Sequence, residues 1–343
     1  MKVLLISPVD HPIRPDSKYI GIERMVWHYA RELIKEHDVT VIAHADSIYP
    51  EGVTLLKAPP VEQGDFLLSE VKAFQAYHYL LRSFDVIHDW SHQHLASRFT
   101  VNLPSLNIFF HAPSLAQYPK APYNIIALSQ WAAREFKRVY HQEARYQYSI
   151  GIDTSIYKLS PRHRGDRFLT IGRMAPEKGN LDALHLCRES DVPLDIVGGR
   201  GFEKTANMPL DDYEKAVHQF CDGKKRRFLG EVSEEEKIKL MQDCRGLIYA
   251  TVHPEVTSHK IQEAMLCGAP IIAPRLGALP EIITDGVNGF LCDRADGFLS
   301  AMDNIDKLDI KKTYDDIVQR FDIKNVVKTY IKLYEEIKGG LRW

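Results

Sequence analysis

The sequence predicts an α/β protein built as two doubly wound, Rossmann-like parallel-sheet domains in series. Short apolar runs alternate with apolar residues at helical spacing, the pattern of strands buried on both faces between helices. The alternation breaks between Ile150 and Arg167, where Gly151, Asp153, Pro161 and a charged stretch from Arg162 read as a linker, and then it restarts. At 343 residues the chain has room for two domains of ordinary size.

In the first half, Val3 to Ser7 is an apolar run suited to a buried parallel strand. Ile22, Met25, Val26, Tyr29, Ala30, Leu33 and Ile34 fall on one helical face. A second strand is expected at Val39 to Ala43 and a helix at Phe66 to Leu81. Val86 to His88, Asn107 to His111 and Asn124 to Ser129 read as strands, and Trp131 to Val139 as a helix. In the second half, strands are expected at Phe168 to Ile171, Leu194 to Val197, Arg227 to Leu229, Leu247 to Ala250 and Ile271 to Pro274. Helices are expected at Leu181 to Cys187, at Glu234 to Met241, around Glu263, and at Val326 to Ile337. The basic run Lys224 to Arg227 reads as a solvated turn.

Hydrophobic residues make up 45% of the chain and charged residues 26%, as in ordinary globular proteins. A formal net charge of −2 gives no support to nucleic-acid binding through phosphate neutralisation. Five widely spaced cysteines without a C-x-x-C pair suit reduced thiols, hence a cytoplasmic location. The opening MKVLLISPVDHP is too short an apolar run for a signal peptide and reads as the first strand. No apolar run approaches the ~20 residues of a membrane span, so at most a peripheral membrane contact stays open.

The segment from Pro254 to Glu281 is the most informative. Glu255 stands in a loop and Glu263 in the following helix, with Thr257 or Ser258 available as N-cap and neither followed by the Glu or Gln of a capping box. First-turn N–H groups are then free to meet an anion such as a diphosphate. Carboxylates flanking an anion need other donors, for which sugar and ribose hydroxyls serve. Arg173 and Lys178 leave one strand–helix loop, Gly172 to Gly179, where two cations can converge on a diphosphate. Neither that loop nor Gly198-Gly199-Arg200-Gly201 is a dinucleotide fingerprint, and neither a Walker A sequence nor a G-x-S-x-G elbow occurs. Gly21, in Ser17 to Arg24, would let a ligand approach the backbone or is a plain turn glycine. His111 ends a strand with Ala112, Pro113 and Ser114 behind it. His88, His92 and His94 fit no common zinc spacing, and no metal site is expected.

Taken together these residues resemble the family 4 glycosyltransferases of GT-B fold, over nearly the whole chain. The most specific portions are Gly172 to Gly179 and Glu255 to Gly289, supported by Phe228 to Gly230 and Gly286 to Phe290. The resemblance implies two Rossmann-like domains facing a cleft: residues 1–158 on the acceptor side, 159–322 binding the nucleotide sugar, and a helix in 323–343 packing back on the first domain. It implies retaining transfer from a nucleotide-sugar donor of unspecified base, without metal or other cofactor, to a sugar, lipid-linked or small-molecule acceptor. Arg173 and Lys178 would hold the diphosphate, Glu255 the donor sugar and Glu263 the ribose. Gly21 would match the N-terminal glycine loop and His111 a histidine beside the donor sugar.

The chain departs from the family's pattern at Ile20-Gly21, where Gly-Gly is usual. It departs again at Thr257, Ser258 and His259, in place of an aromatic, a glycine and an aliphatic residue, which makes the donor pocket more polar. A nucleotide-sugar epimerase of the same architecture and a non-catalytic sugar-nucleotide sensor are the competing readings.

Overall fold

The computed structural model describes residues 1–14, 21–62, 65–100, 102–111, 113, 121–147, 149–160, 164–199 and 210–343. Ser17 to Ile20, Ala112, Ser114, Pro161 to His163, Arg200 and Gly201 lie outside the described residues. The chain divides into two compact units, Met1–Asp153 with Phe321–Trp343, and Thr154–Arg320. The divisions thus fall at 153/154 and 320/321, against the 158/159 and 322/323 expected from sequence.

Among its described residues the first unit holds seven strands: β1 (Lys2–Ile6), β2 (Asp38–Ala43), β3 (Thr54–Lys57), β4 (Val86–Asp89), β5 (Ser105–Phe109), β6 (Ile125–Ala127) and β7 (Arg145–Tyr146). They form one sheet in the order β3-β2-β1-β4-β5-β6-β7. Every pairing is parallel, with Val3 opposite both Val39 and Val86. The period of two explains its layers. Val3 and Leu5 of β1 face the core that includes Tyr29 of the Ile22–Leu33 helix and Tyr330 of the Ile323–Lys338 helix. Leu4, between them, faces the opposite core with Ala73 and Leu81.

The C-terminal helix belongs to this unit. Tyr330 is fully buried; its ring lies 5.4 Å from that of Tyr29 and stacks on His88 at 5.2 Å. The Tyr334 hydroxyl and His88 Nδ1 share a hydrogen bond of 2.6 Å. His88 is therefore a core group whose pKa burial pushes well down. Tyr330→Ala is expected to destabilise this unit by about 3–5 kcal/mol, the range for emptying a buried aromatic site. All four tryptophans lie in this unit, so tryptophan fluorescence during urea unfolding reads its stability separately.

The second unit holds β8 (Phe168–Ile171), β9 (Leu194–Val197), β10 (Arg226–Gly230), β11 (Gly246–Ile248), β12 (Ile271–Pro274) and β13 (Gly289–Cys292). Its order is β10-β9-β8-β11-β12-β13, again all parallel. Phe168, Leu194, Ile196, Ile248 and Ile272 share a core with Leu184, Cys187 and Met302.

Three expectations need correction. Lys224 to Arg227 is not a solvated turn, because Arg226 and Arg227 open β10. Arg227 Nε and Nη2 reach the two oxygens of the buried Asp195 at 2.7 Å each, and Arg167 Nε reaches Asp195 Oδ1 at 2.9 Å. Burial opposes ionisation of Asp195, but these guanidinium bonds hold its carboxyl below the ordinary range. Strand β5 ends at Phe109, so His111 lies two residues past it. The third correction concerns the cap of the Glu263 helix, described below.

Candidate functional site

In an open α/β sheet the ligand crevice lies beyond the carboxyl ends of the strands, where the strand order reverses. In the second unit that point falls between β8 and β11. The loop after β8 is Gly172 to Gly179, and the loop after β11 runs through Tyr249 and Thr251 to Glu255. The sheet order therefore brings the two cations and the loop carboxylate together.

Lys178 Nζ donates to Glu255 Oε1 at 2.7 Å, and the Tyr249 hydroxyl donates to the same oxygen at 2.7 Å. Arg173 Nη2 donates to Glu177 Oε1 at 2.8 Å. The loop that carries both cations is pinned at several points. Asn180 Nδ2 donates to the Arg173 carbonyl at 2.8 Å. The Glu177 carbonyl accepts from Thr251 Oγ1 at 2.9 Å and from the Val252 N–H at 3.1 Å. Gly179 has φ +68°, and a Cβ there would lie 1.8 Å from the Ala250 carbonyl oxygen. Only glycine lets the two loops come this close. On the other side of Glu255, the Ala278 N–H donates to its carbonyl at 2.9 Å, which fixes the backbone that aims the carboxylate.

The helix after this loop spans His259–Leu266. Ser258 is its N-cap residue by position, yet its side chain makes no capping bond. Thr257 does not cap either: its Oγ1 accepts from Gln262 Nε2 at 3.2 Å. The hydroxyl expected to satisfy the helix end is turned to a glutamine one turn on. The first-turn N–H groups thus lack a side-chain acceptor and carry the positive end of the helix dipole.

Glu263 is nearly buried and sits in an ionic network. Its Oε1 accepts from the Tyr157 hydroxyl at 2.9 Å and its Oε2 from Lys237 Nζ at 3.0 Å. Lys237 also pairs with Glu234 at 2.7 Å, and Tyr157 bonds to that carboxylate too. Burial pulls the Lys237 pKa down, but Glu263 and Glu234 outweigh it and hold it above the ordinary value. Tyr157 is pushed above the ordinary phenol value by burial and by Glu263, so it stays a donor. With two partners, the Glu263 carboxylate keeps lone pairs for further donors. His259, beside it, has its pKa lowered by burial and is neutral at pH 7.

Sequence reasoning missed Tyr249, Lys237, Tyr157 and Glu177. Tyr249 had a readable signal, as the first residue past β11 at the switch point. Lys237 and Tyr157 had none, since one lies on a charged helix and the other in the predicted linker.

In the first unit, Gly21 is the exposed N-cap of the Ile22–Leu33 helix, in the connection after β1. His111 is exposed, and its ring stacks on that of His92 at 5.8 Å. The loop of His92 is held by Glu70, whose oxygens accept the N–H groups of His92 and Gln93 at 2.8 and 3.0 Å. Both Gly21 and His111 follow strands next to the reversal between β1 and β4, or one strand further.

Residues 152–319 match the family described as glycosyl transferases, group 1. This span is the second unit almost residue for residue. The second unit is a group 1 glycosyl transferase domain. The motif-based resemblance to family 4 glycosyltransferases agrees with that assignment, and the loops that carry Arg173, Lys178 and Glu255 lie inside the matched span.

An uncharacterised glycosyltransferase of Methanocaldococcus jannaschii is 25% identical over 177 residues, 49% of this chain and 48% of that protein. The chain spans about half the length of this curated relative. The Anabaena protein HepE, solved in complex with UDP-glucose, superposes with a TM-score of 0.71 at 21% identity, covering 99% of this chain and 100% of that one. Sucrose-phosphate synthase from Thermosynechococcus elongatus gives a TM-score of 0.76 at 17% identity, covering 99% and 100%. These likenesses establish the fold: two parallel-sheet α/β units of the kind found in GT-B glycosyltransferases. Among the described residues no helix is long and apolar enough to cross a membrane.

Proposed function

We propose that the protein is a retaining glycosyltransferase that moves a sugar from a nucleotide-sugar donor to an acceptor hydroxyl without a metal ion. The observation that carries this reading is the Lys178–Glu255 contact of 2.7 Å across the β8/β11 reversal of the transferase domain, next to an uncapped helix N-terminus. Breaking the anomeric C–O bond builds positive charge on the sugar and negative charge on the leaving diphosphate. Arg173, Lys178 and the first-turn N–H groups would stabilise the leaving group by preorganised electrostatics. They would supply the positive charge that a divalent ion brings elsewhere. Glu255 would accept from hydroxyls of the donor sugar and Glu263 from the ribose, with Thr257, Ser258 and His259 lining the same segment.

Retention follows if the acceptor attacks from the face that the diphosphate leaves, the departing phosphate oxygen taking the acceptor's proton. No side chain then has to become a covalent nucleophile. For the first unit we assign acceptor recognition, with Gly21 and His111 at the carboxyl-end side of its sheet. The acceptor class is a sugar, a lipid-linked saccharide or a small molecule, and we assign the reaction to the cytoplasm, a reading that the five unbridged cysteines support.

The test is calorimetric titration of UDP, GDP, ADP and dTDP, without magnesium, into the wild type and Arg173→Ala. One nucleotide is expected to bind saturably to the wild type and to lose about two orders of magnitude in affinity in the variant, as loss of a charge-assisted bidentate contact allows. Binding of none of the four would remove the donor assignment. Tight binding with neither transfer nor hydrolysis would favour a sensor, and donor interconversion without an acceptor would favour an epimerase.

A further inference from the structure

Lys237 reaches Glu263 from a helix outside the loops already described. That helix, Glu234–Asp243, has its start fixed by a capping box between Ser233 and Glu236. Glu234 and Lys237, three residues apart, therefore share one of its faces. Lys237 Nζ donates to Glu263 Oε2 at 3.0 Å, to the Tyr157 hydroxyl oxygen at 3.1 Å, and pairs with Glu234 Oε1 at 2.7 Å. An ammonium has three hydrogens, and these three contacts use all of them.

Tyr157 has a single hydroxyl hydrogen yet bonds to two carboxylates, Glu234 and Glu263. It can serve only one of them at a time. Lys237 is thus the donor that Glu263 keeps in either case. It holds Oε2 and leaves Oε1 to the phenol or to an incoming hydroxyl.

Stability does not account for this arrangement. Replacing a buried set of lysine and carboxylates by packed apolar residues is often neutral or stabilising. What the set achieves is to keep a nearly buried carboxylate in one orientation, with acceptor positions to spare on its oxygens. A ribose offers two vicinal hydroxyls to those positions. A 2′-deoxyribose offers one, and a nearly buried oxygen is then left short of a donor.

We propose that Lys237 is a positioning residue that holds Glu263 as a reader of the ribose diol, so that the donor is a ribonucleoside-diphosphate sugar and its 2′-deoxy counterpart is rejected. The inference rests on the ribose role of Glu263 proposed above. Of the four nucleotides named there, dTDP is then not the one bound.

Calorimetry without magnesium first identifies which of UDP, GDP, ADP and dTDP the wild type binds. That ribonucleotide is then compared with its 2′-deoxy form. The wild type is expected to prefer the ribonucleotide by about tenfold to a hundredfold, as a hydrogen bond to a charged group allows. In Lys237→Met the preference is expected to fall to about threefold or less. That variant leaves Glu234 and Glu263 without their shared cation, so the double variant Glu234→Gln/Lys237→Met is measured beside it and is expected to show the same loss. Loss of packing weakens both nucleotides alike and leaves their ratio where it was. The ratio therefore reads positioning, while circular dichroism reads folding.

A wild-type preference retained in the folded double variant overturns the role of Lys237. Binding of dTDP by the wild type, or equal affinity for the ribonucleotide and its 2′-deoxy form, overturns the proposal while leaving the donor site standing. Failure of the wild type to bind any of the four nucleotides removes the donor reading and this inference with it.

Discussion

Lys178→Met is expected to lower sugar transfer by about two to three orders of magnitude with the fold intact. Methionine keeps the length and the apolar stem of lysine, so the Gly172 to Gly179 loop keeps its packing and its bonds to Asn180 and Thr251. What disappears is the ammonium 2.7 Å from Glu255. Preorganised donors that meet developing charge contribute about that much to a rate when removed singly. Among the described residues Glu255 would keep the Tyr249 hydroxyl as its partner and would be aimed less well at a donor sugar. The measurement is steady-state transfer with the nucleotide sugar identified by calorimetry, alongside thermal unfolding by circular dichroism. An unchanged kcat in a folded variant would take Lys178 out of the reaction.

Gly179→Val is expected to have a large structural effect on the loop that carries Arg173 and Lys178. The residue adopts φ +68°, and any Cβ would sit 1.8 Å from the Ala250 carbonyl oxygen. A β-branched side chain is disfavoured in that backbone region and here also meets a fixed carbonyl. The loop after β8 must move away from the end of β11, separating Lys178 from Glu255 and Glu177 from Thr251. A destabilisation of about 3 kcal/mol is reasonable for strain and overpacking combined. Because every tryptophan lies in the first unit, its fluorescence transition should stay in place while the circular-dichroism transition of the second unit moves down. Nucleotide binding should fall with it. A variant that binds nucleotide normally would show that the two loops need not touch.

The fold was readable because its signals are local. Val3 to Ile6 is apolar without interruption and Phe168 to Ile171 is broken only by Thr170, as suits strands covered on both faces. The expected strands and the observed β1 and β8 differ by one residue at most at either end. The elements that escaped are those whose burial is incomplete. Strand β3, at the sheet's margin, has two half-covered leucines between exposed ends, and β7 has only two residues. Neither presents an apolar run to recognise. Lys224 to Arg227 misled for a related reason. Basic residues usually face water, and nothing local announces a buried Asp195 on the neighbouring strand to receive Arg227.

The same limit applied at the cap of the His259–Leu266 helix. Ser258 and Thr257 have the right chemistry for capping, but a fully buried Gln262 donates to Thr257 instead, a choice made by the packing around that glutamine. The Glu263 environment was equally hidden, since Tyr157 and Lys237 reach it from other parts of the chain.

By itself the sequence determined the two-unit parallel α/β architecture, the loop that carries Arg173 and Lys178, and the loop-then-helix placement of Glu255 and Glu263. Those follow from residue spacing and backbone preference, which act over a few positions. Tertiary structure decided which partner each charge meets. Lys178 and Glu255 are 77 residues apart and touch only because β8 and β11 are neighbours in the sheet. Tyr157 and Lys237 likewise meet Glu263 from 106 and 26 residues away, contacts that exist only in the folded chain.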